Sequence, residues 1–439
     1  MAVAEVTGDY RRGKTALFLI ACSWAGAVPH WLGPLRSLLP AITLAVVVGG
    51  YALQTVLRAR LAGSPAPRRS SVEPLIGEGQ PWPALDVVVA ARDEEAVVSR
   101  LVERLSALNY PTNKLVTWII DDGSEDRTPV LLDQLKVRFP NLQVIHRPPE
   151  AGGGKSGALN TALQQMQGEW LLVLDADAQL DQDVLERMVP FAVQGGWSAV
   201  QLRKAVIDAE HNWLTRSQAM EMAFDALIQE GRLVSGGVAE LRGNGQLIRR
   251  DVLEECGGFN EATVTDDLDL SFRLLIDGAL VGILWDPPVE EEAVESLPAL
   301  WKQRQRWAEG GLQRFFDYWP TLISTRLTLA QRRDLASFFL LQYALPVVSF
   351  ADFTTSVVSR SMPCYWPLSI VAFSVSGLAY WRGCRRSSEG PAIPSLNVLS
   401  MLVAIIYLGH WFVVIPWVSL RMAIFPKSLV WAKTTHGKK

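Results

Sequence analysis

Cysteine and histidine are scarce in this sequence, with four and five copies in 439 residues. Cys22, Cys256, Cys364 and Cys384 form no Cys-x-x-Cys pair, so neither a zinc site nor a disulfide framework is signalled. Any metal is then a hard ion held by carboxylates. A surplus of positive charge is also missing. The net charge of -3 argues against nucleic acid as a partner, which draws on a strongly basic face. Yet 20% charged residues coexist with a mean hydropathy of +0.15, so some segments must be strongly apolar.

Those segments locate themselves. Residues 15–31 and 38–57 are nearly free of charge and close to the ~20 residues that span a bilayer. The first follows Arg11, Arg12 and Lys14 and could open a signal peptide, but a second run so close behind makes a membrane hairpin the better reading. Further apolar runs cover 335–358, 365–381 and 396–424. Arg58, Arg60, Arg68 and Arg69, then Arg326, Arg332 and Arg333, place the middle of the chain on the cytoplasmic side. The chain reads as a multi-pass integral membrane protein. Three single crossings after residue 333 would leave the lysine-bearing tail outside, against the positive-inside rule. A cytoplasmic tail is preferred, so either 396–424, which contains Pro416, is no simple crossing or one run lies in the interface.

After a Ser/Pro/Arg-rich linker at 63–71, short apolar strands alternate with amphipathic helices. Strands are expected at 86–91, 115–120, 142–146, 170–174 and 199–202, and helices at 94–108, 128–139, 156–166 and 183–193. This rhythm predicts an α/β domain with a mostly parallel sheet, whose ligands bind at the carboxyl ends of strands. Acidic motifs fall at those ends. "ARDEE" at 91–95 could be a plain helix start, and "DDGSED" at 121–126 an Asx turn with Gly123 at positive φ. "GGGKSGALN" at 152–160 suits a diphosphate cradle around Lys155, although glycine runs are often only loops. "LLVLDADAQ" is sharper: Asp175 and Asp177, at i and i+2 beyond an apolar strand, can share a cation. In "TVTDDLDLSF", Asp266, Asp267 and Asp269 precede an apolar helix, as caps or as a catalytic carboxylate that takes a proton from an acceptor hydroxyl.

In this order, Asp121/Asp122, "DAD" at 175–177, "TDD" at 265–267 and "QRQRW" at 303–307 resemble the pattern of the family-2 inverting glycosyltransferases. The resemblance covers roughly residues 85–320. It departs from the family where "AARDE" replaces P-x-x-N-E and Asp266 replaces a glutamate. It implies a Rossmann-like GT-A catalytic domain in the cytosol, flanked by transmembrane helices. The implied layout is a transmembrane hairpin at 1–60, a linker at 61–84, the GT-A domain at 85–295, amphipathic interface helices at 296–333, transmembrane segments at 334–424 and a basic tail at 425–439.

The implied roles follow residue by residue. Arg92, Glu94, Asp121 and Asp122 would contact the nucleotide of a UDP-sugar, with Lys155 and Asp175 at its diphosphate. Asp175 and Asp177 would hold Mg²⁺ or Mn²⁺, and Asp267 would be the general base. Gly243, Asn244, Gly245, Asp266, Gln303, Arg306 and Trp307 would line the donor–acceptor junction. Lys433, Thr435 and His436 of the tail would approach the diphosphate, or serve only as a basic tail on anionic headgroups. The aromatic stripe of 300–319 is expected at the membrane interface, with its arginines snorkelling.

A polysaccharide synthase passes its chain through a larger bundle of spans, whereas a lipid acceptor needs no tunnel. Within the family the sequence looks most like the cyanobacterial-type β-monoglucosyldiacylglycerol synthases, which implies a 1,2-diacylglycerol acceptor, a bilayer partner and glucose as the sugar. The alternative is a processive β-glycan synthase of the cellulose, chitin or poly-N-acetylglucosamine kind.

Overall fold

The computed structural model describes residues 10–33, 36–61 and 82–426. The strands are β1 (Leu85–Ala91), β2 (Leu115–Asp122), β3 (Leu142–Arg147), β4 (Trp170–Leu174), β5 (Ala199–Val206), β6 (Gln246–Arg249) and β7 (Val281–Glu291). Helices of the α/β part are α4 (Val98–Ser106), α5 (Thr128–Arg138), α6 (Gly154–Leu163), α7 (Val184–Gly195), α8 (Trp213–Val234), α9 (Arg250–Glu255) and α10 (Asp266–Ile276). Before them lie α1 (Tyr10–Ala27), α2 (Leu39–Leu44) and α3 (Gly50–Leu61). After them come α11 (Leu297–Leu322), α12 (Leu329–Phe339), α13 (Leu345–Ser359), α14 (Trp366–Arg385), α15 (Val398–Leu408) and α16 (Trp411–Ile424).

The sheet order is β3-β2-β1-β4-β6-β5-β7, and β6 alone runs antiparallel to its neighbours. The chain winds outward from β1 through β2 to β3, then returns to place β4 on the other side of β1. That reversal opens a crevice at the carboxyl ends of β1 and β4, the usual ligand position in such sheets. Fully buried Val87 and Val89 face one layer of core, and Val88, Leu171 and Val173 the other, as expected for strands covered on both sides.

Two strands escape the sequence reading. β6 is four residues long and ends in Arg249, too short to show a period. β7 carries Pro287 and Pro288 and ends in acids, a composition that hides a strand. The helix expected from residue 94 starts at Val98 instead. Asp93 takes a left-handed conformation, φ 53°, and its amide donates to Ser124 Oγ while its carboxylate accepts from the Glu125 amide. These bonds tie the turn after β1 to the loop after β2, in a conformation Asp tolerates better than most residues.

Among the described residues three helices are long and apolar enough to cross a membrane: Arg36–Ala59, Leu329–Ser359 and Val398–Ile424. The runs expected at 15–31 and 365–381 form α1 and α14, of 18 and 20 residues. Outward faces are apolar, with Val46, Val47, Phe353, Val358 and Ile406 exposed. Inward, Leu345, Val347, Val414 and Val418 pack with Phe272 of α10 and with Leu312 and Phe315 of α11.

That packing corrects the expectation for α11. Leu300, Ala308, Leu312, Phe315 and Phe316 are buried inside the protein; of the stripe, Trp301 and Trp319 reach the surface. Its arginines do not all snorkel either. Arg304 is buried against the Glu221 carboxylate and the Tyr407 hydroxyl, and Arg314 lies 3.2 Å from Glu240. Each guanidinium is paired, which is the condition for burying one. Both also lie over aromatic rings, Arg304 at 4.1 Å from the Trp307 centroid and Arg314 at 4.7 Å from Phe272.

Candidate active site

The crevice at the switch point opens into a cavity of about 770 Å³ that runs from the sheet to the apolar helices. At its sheet end β1 delivers Arg92 and Glu94, α6 delivers Lys155, and the turn after β4 delivers Asp175 and Asp177. Asp266 and Asp267 open α10 in its first turn, and Gln303, Arg306 and Trp307 come from α11. Residues far apart in sequence thus share one wall. Gly243 also lines the cavity at φ 86°, and a Cβ there would stand 3.4 Å from Asp267 Oδ2. The positive φ, rather than the distance to that carboxylate, is what favours a glycine here.

Charge is tightly arranged. Lys155 Nζ donates to Asp175 Oδ1 at 2.6 Å and approaches the Gly243 carbonyl at 3.4 Å. Burial works against the Lys155 ammonium, but Asp175, Asp266 and Asp267 outweigh it and hold its proton more firmly than usual. Burial likewise opposes the Asp175 carboxylate, and Lys155 and Lys204 overcome it, so Asp175 titrates below the usual range. Asp267 goes the other way. Burial and then the neighbouring Asp266 carboxylate push it up to about 6, with Lys155 and Lys204 only partly compensating. Two nearby groups with acidities pushed apart are a recurrent sign of acid–base chemistry.

Four of the expected residues lie off the cavity wall. Asp121 Oδ2 pairs with His146 Nδ1 at 2.9 Å, and Asp122 pairs with Arg147, so both are spent on β3. Asn244 is fully buried; its side-chain oxygen accepts from the Asp175 amide at 3.1 Å, and its carbonyl accepts from Gln201 at 2.7 Å. Gly245, at φ 72°, presses against Val289 and Leu202. Asn244 and Gly245 brace the wall from behind. Lys433, Thr435 and His436 lie outside the described residues, as does the linker at 63–71.

Two wall residues were missed from sequence. Lys204 on β5 pairs with Glu291 at the end of β7 at 2.8 Å, with its ammonium 6.0 Å from the Trp307 ring centroid. Burial disfavours the Lys204 ammonium, but Glu291 and Asp175 raise its affinity for the proton. A lone lysine in the apolar run "AVQLRKAV" was the available signal. Gln303 adds an open valence: its Oε1 is buried and finds no donor among the described residues. A buried acceptor at a cavity wall is a place where a ligand donor fits.

Residues 83–310 match the family described as Glycosyltransferase like family 2. The chain belongs to that family. Named relatives match it along most of its length. It is 45% identical to Beta-monoglucosyldiacylglycerol synthase of Synechocystis sp., over 81% of this chain and 76% of that protein. It is 40% identical to the protein of that name from Trichormus variabilis, over 97% of this chain and 89% of that one. Poly-beta-1,6-N-acetyl-D-glucosamine synthase of Staphylococcus epidermidis is more distant, at 25% over 80% and 85%. Among solved structures, mannosyltransferase PcManGT of Pyrobaculum calidifontis, in complex with GDP-Man and Mn2+, aligns with a TM-score of 0.55. It covers 78% of this chain and 96% of its own at 21% identity, a likeness of fold. The GT-A α/β fold expected for this family-2 glycosyltransferase is therefore present.

Proposed function

We propose that this family-2 glycosyltransferase moves glucose from UDP-glucose to the free hydroxyl of a 1,2-diacylglycerol and inverts the anomeric carbon, giving a β-glucolipid. One observation carries the reading: a single cavity joins an acid-lined donor pocket to helices apolar enough for a bilayer. It is supported by relatives at 45%, 40% and 39% identity that bear the name of that synthase.

Arg92 and Glu94 meet the nucleoside, while Asp121 and Asp122 fix the loop behind them through His146 and Arg147. Lys155 neutralises the diphosphate, releasing Asp175 from its present pairing. Asp175 and Asp177 then present hard oxygens together, a donor set suited to Mg²⁺ or Mn²⁺ rather than to a soft ion. These two carboxylates would hold a divalent ion, which would supply charge stabilisation to the departing diphosphate. Asp267 accepts the proton of the acceptor hydroxyl as its oxygen attacks the anomeric carbon and the bond to UDP breaks. A base titrating at about 6 is largely ionised at neutral pH yet still basic, and general-base catalysis is typically worth about 10²–10⁴ in rate. Gln303, Arg306 and Trp307 position the sugar between the two. The arginines flanking the apolar runs support a cytoplasmic side for this chemistry.

The test is product analysis by mass spectrometry, with detergent-purified protein, UDP-glucose, Mg²⁺ and diacylglycerol. A single hexosyl-diacylglycerol that disappears on chelation and in Asp267→Asn supports the reading. A ladder or insoluble polymer made without lipid overturns the acceptor and establishes the processive alternative.

A further inference from the structure

Beyond Arg304 and Arg314 the cavity changes character. Its far wall is built by Phe338, Leu341, Pro346, Ala372, Phe373 and Phe412, all apolar and drawn from α12 to α16 and the turns between them. Neither the donor sugar nor its nucleotide has use for such a surface. Two of the membrane-length helices are also irregular where they meet it. Residues Ala45–Gly49 and Leu340–Ala344 are π-helical, and Gly49, Leu341, Gln342 and Tyr343 from these turns line the cavity. Wide turns of this kind concentrate at functional sites, because they redirect side chains without ending the helix.

Between the two ends stands a belt of buried ion pairs. Glu240 is fully buried among Arg232, Arg242 and Arg314, while Arg232 also pairs with Asp334 at 3.0 Å. Arg232 Nη1 and Arg314 Nε still find no hydrogen-bond acceptor among the described residues. Both residues line the cavity at the junction of its polar and apolar parts.

From this sequence of surfaces we infer that the apolar arm is the acyl-chain site of the acceptor, and that the arginine belt receives the polar glycerol ester region. The inference rests on the diacylglycerol reading above and adds where the lipid lies. A neutral glycerolipid has the same order of chemistry along its length. Its hydroxyl reaches Asp267, its ester carbonyls offer acceptors to Arg232 and Arg314, and a chain fills the arm among the helices. Continuity with the donor pocket favours this occupant over an unrelated lipid resting on the outer helix faces.

The experiment compares diacylglycerols of long and short chains as acceptors for the purified full-length protein, and then fills the arm with Ala372→Phe. The ratio of kcat/KM for the long-chain over the short-chain lipid should fall about tenfold, the loss expected when roughly two methylenes are kept out of an apolar site. An unchanged ratio overturns the arm assignment. A diacylglycerol bearing a diazirine at one chain end provides a second measurement that needs no variant. Photolysis should label peptides spanning 337–346 and 371–376. Labelling confined to outward positions such as Phe350 and Phe353 would overturn the inference even if Ala372→Phe failed to fold. If the wild-type protein glucosylates no diacylglycerol of any length, the functional reading itself falls, and the two failures are told apart.

Discussion

In the proposed reaction Asp267 carries the base chemistry in one side chain. Because burial and Asp266 raise its pKa to about 6, it must lose a proton to act, and activity should fall as pH drops through about 6. A pH profile of kcat/KM measures that limb, and Asp267→Asn should remove it while costing about 10²–10⁴ in rate. The same shift has a stability consequence of opposite sign. A carboxyl whose folded pKa lies above its unfolded one destabilises the fold progressively as pH rises through that interval, and the penalty is complete at neutral pH. The inactive Asp267→Asn protein should therefore melt no lower than wild type at pH 7, and a few degrees higher if the penalty is fully relieved. Asn244 makes a second case at this scale. It touches Asp175 through a backbone amide and never the cavity, so Asn244→Ala should raise the Mg²⁺ needed for half-maximal activity by about 10–100-fold, as loss of an outer support does. That Asp175, Asp177 and Asp267 gather at one cavity was legible in sequence, because carboxylates crowded at strand and helix ends are costly without a use. Lys204 was not, since its partner Glu291 is distant in the chain and lies on a strand that two prolines disguise.

At the scale of the element, α11 shows why two glycines sit inside a long helix. A Cβ on Gly310 would overlap Thr265, the residue that opens α10 just before Asp266 and Asp267. A Cβ on Gly311 would overlap the Tyr343 hydroxyl in the π-helical turn of the neighbouring membrane-length helix. The pair "GG" at 310–311 thus lets α11 press on the catalytic turn with one residue and on the bundle with the next. Gly310→Ala should push Thr265 aside and shift Asp267. A displacement of ~1 Å at a reacting group can cost ~10² in rate, so steady-state assays should show kcat reduced by that order. An Ala variant of wild-type rate would mean that the contact does not set the geometry. The helical stripe was readable from spacing, but its environment was not. Periodicity reports which residues share a face, and the face of α11 is covered by α1, α10 and α16 rather than by headgroups. Composition misled further: arginines looked incompatible with burial because Glu221 and Glu240, their partners, come from residues more than 70 positions upstream (83 for the Glu221–Arg304 pair).

At the scale of the whole molecule, the question is what fixes the apolar helices relative to the sheet, since the cavity belongs to both. The alternation of strands and helices predicted the sheet's layers, and the apolar runs predicted long apolar helices. Their joint could not be read, because it is made of single long-range ion pairs with no local pattern. Glu309 of α11 is such a joint. Its two carboxylate oxygens pair separately with Arg11 of α1 and Arg421 of α16, and Arg421 also reaches Gln305 Oε1 at 3.1 Å. Three helices distant in sequence meet at this carboxylate, two residues beyond Trp307 and next to Gly310. Arg11 is buried, so Glu309→Gln would leave its charge without a counterion, a loss on the order of 3 kcal/mol for a buried pair. The variant should melt at a lower temperature in detergent. Because α16 carries Phe412 into the apolar arm while Arg92, Glu94 and Lys155 stand at the sheet end of the cavity, the damage should also be directional. KM for diacylglycerol should rise, and KM for UDP-glucose should stay within about twofold, well under the tenfold that 1.4 kcal/mol represents. Equal weakening of both substrates would show that Glu309 supports the fold as a whole. A selective loss of lipid affinity would establish that this three-helix joint holds the acceptor half of the cavity in register with the donor half.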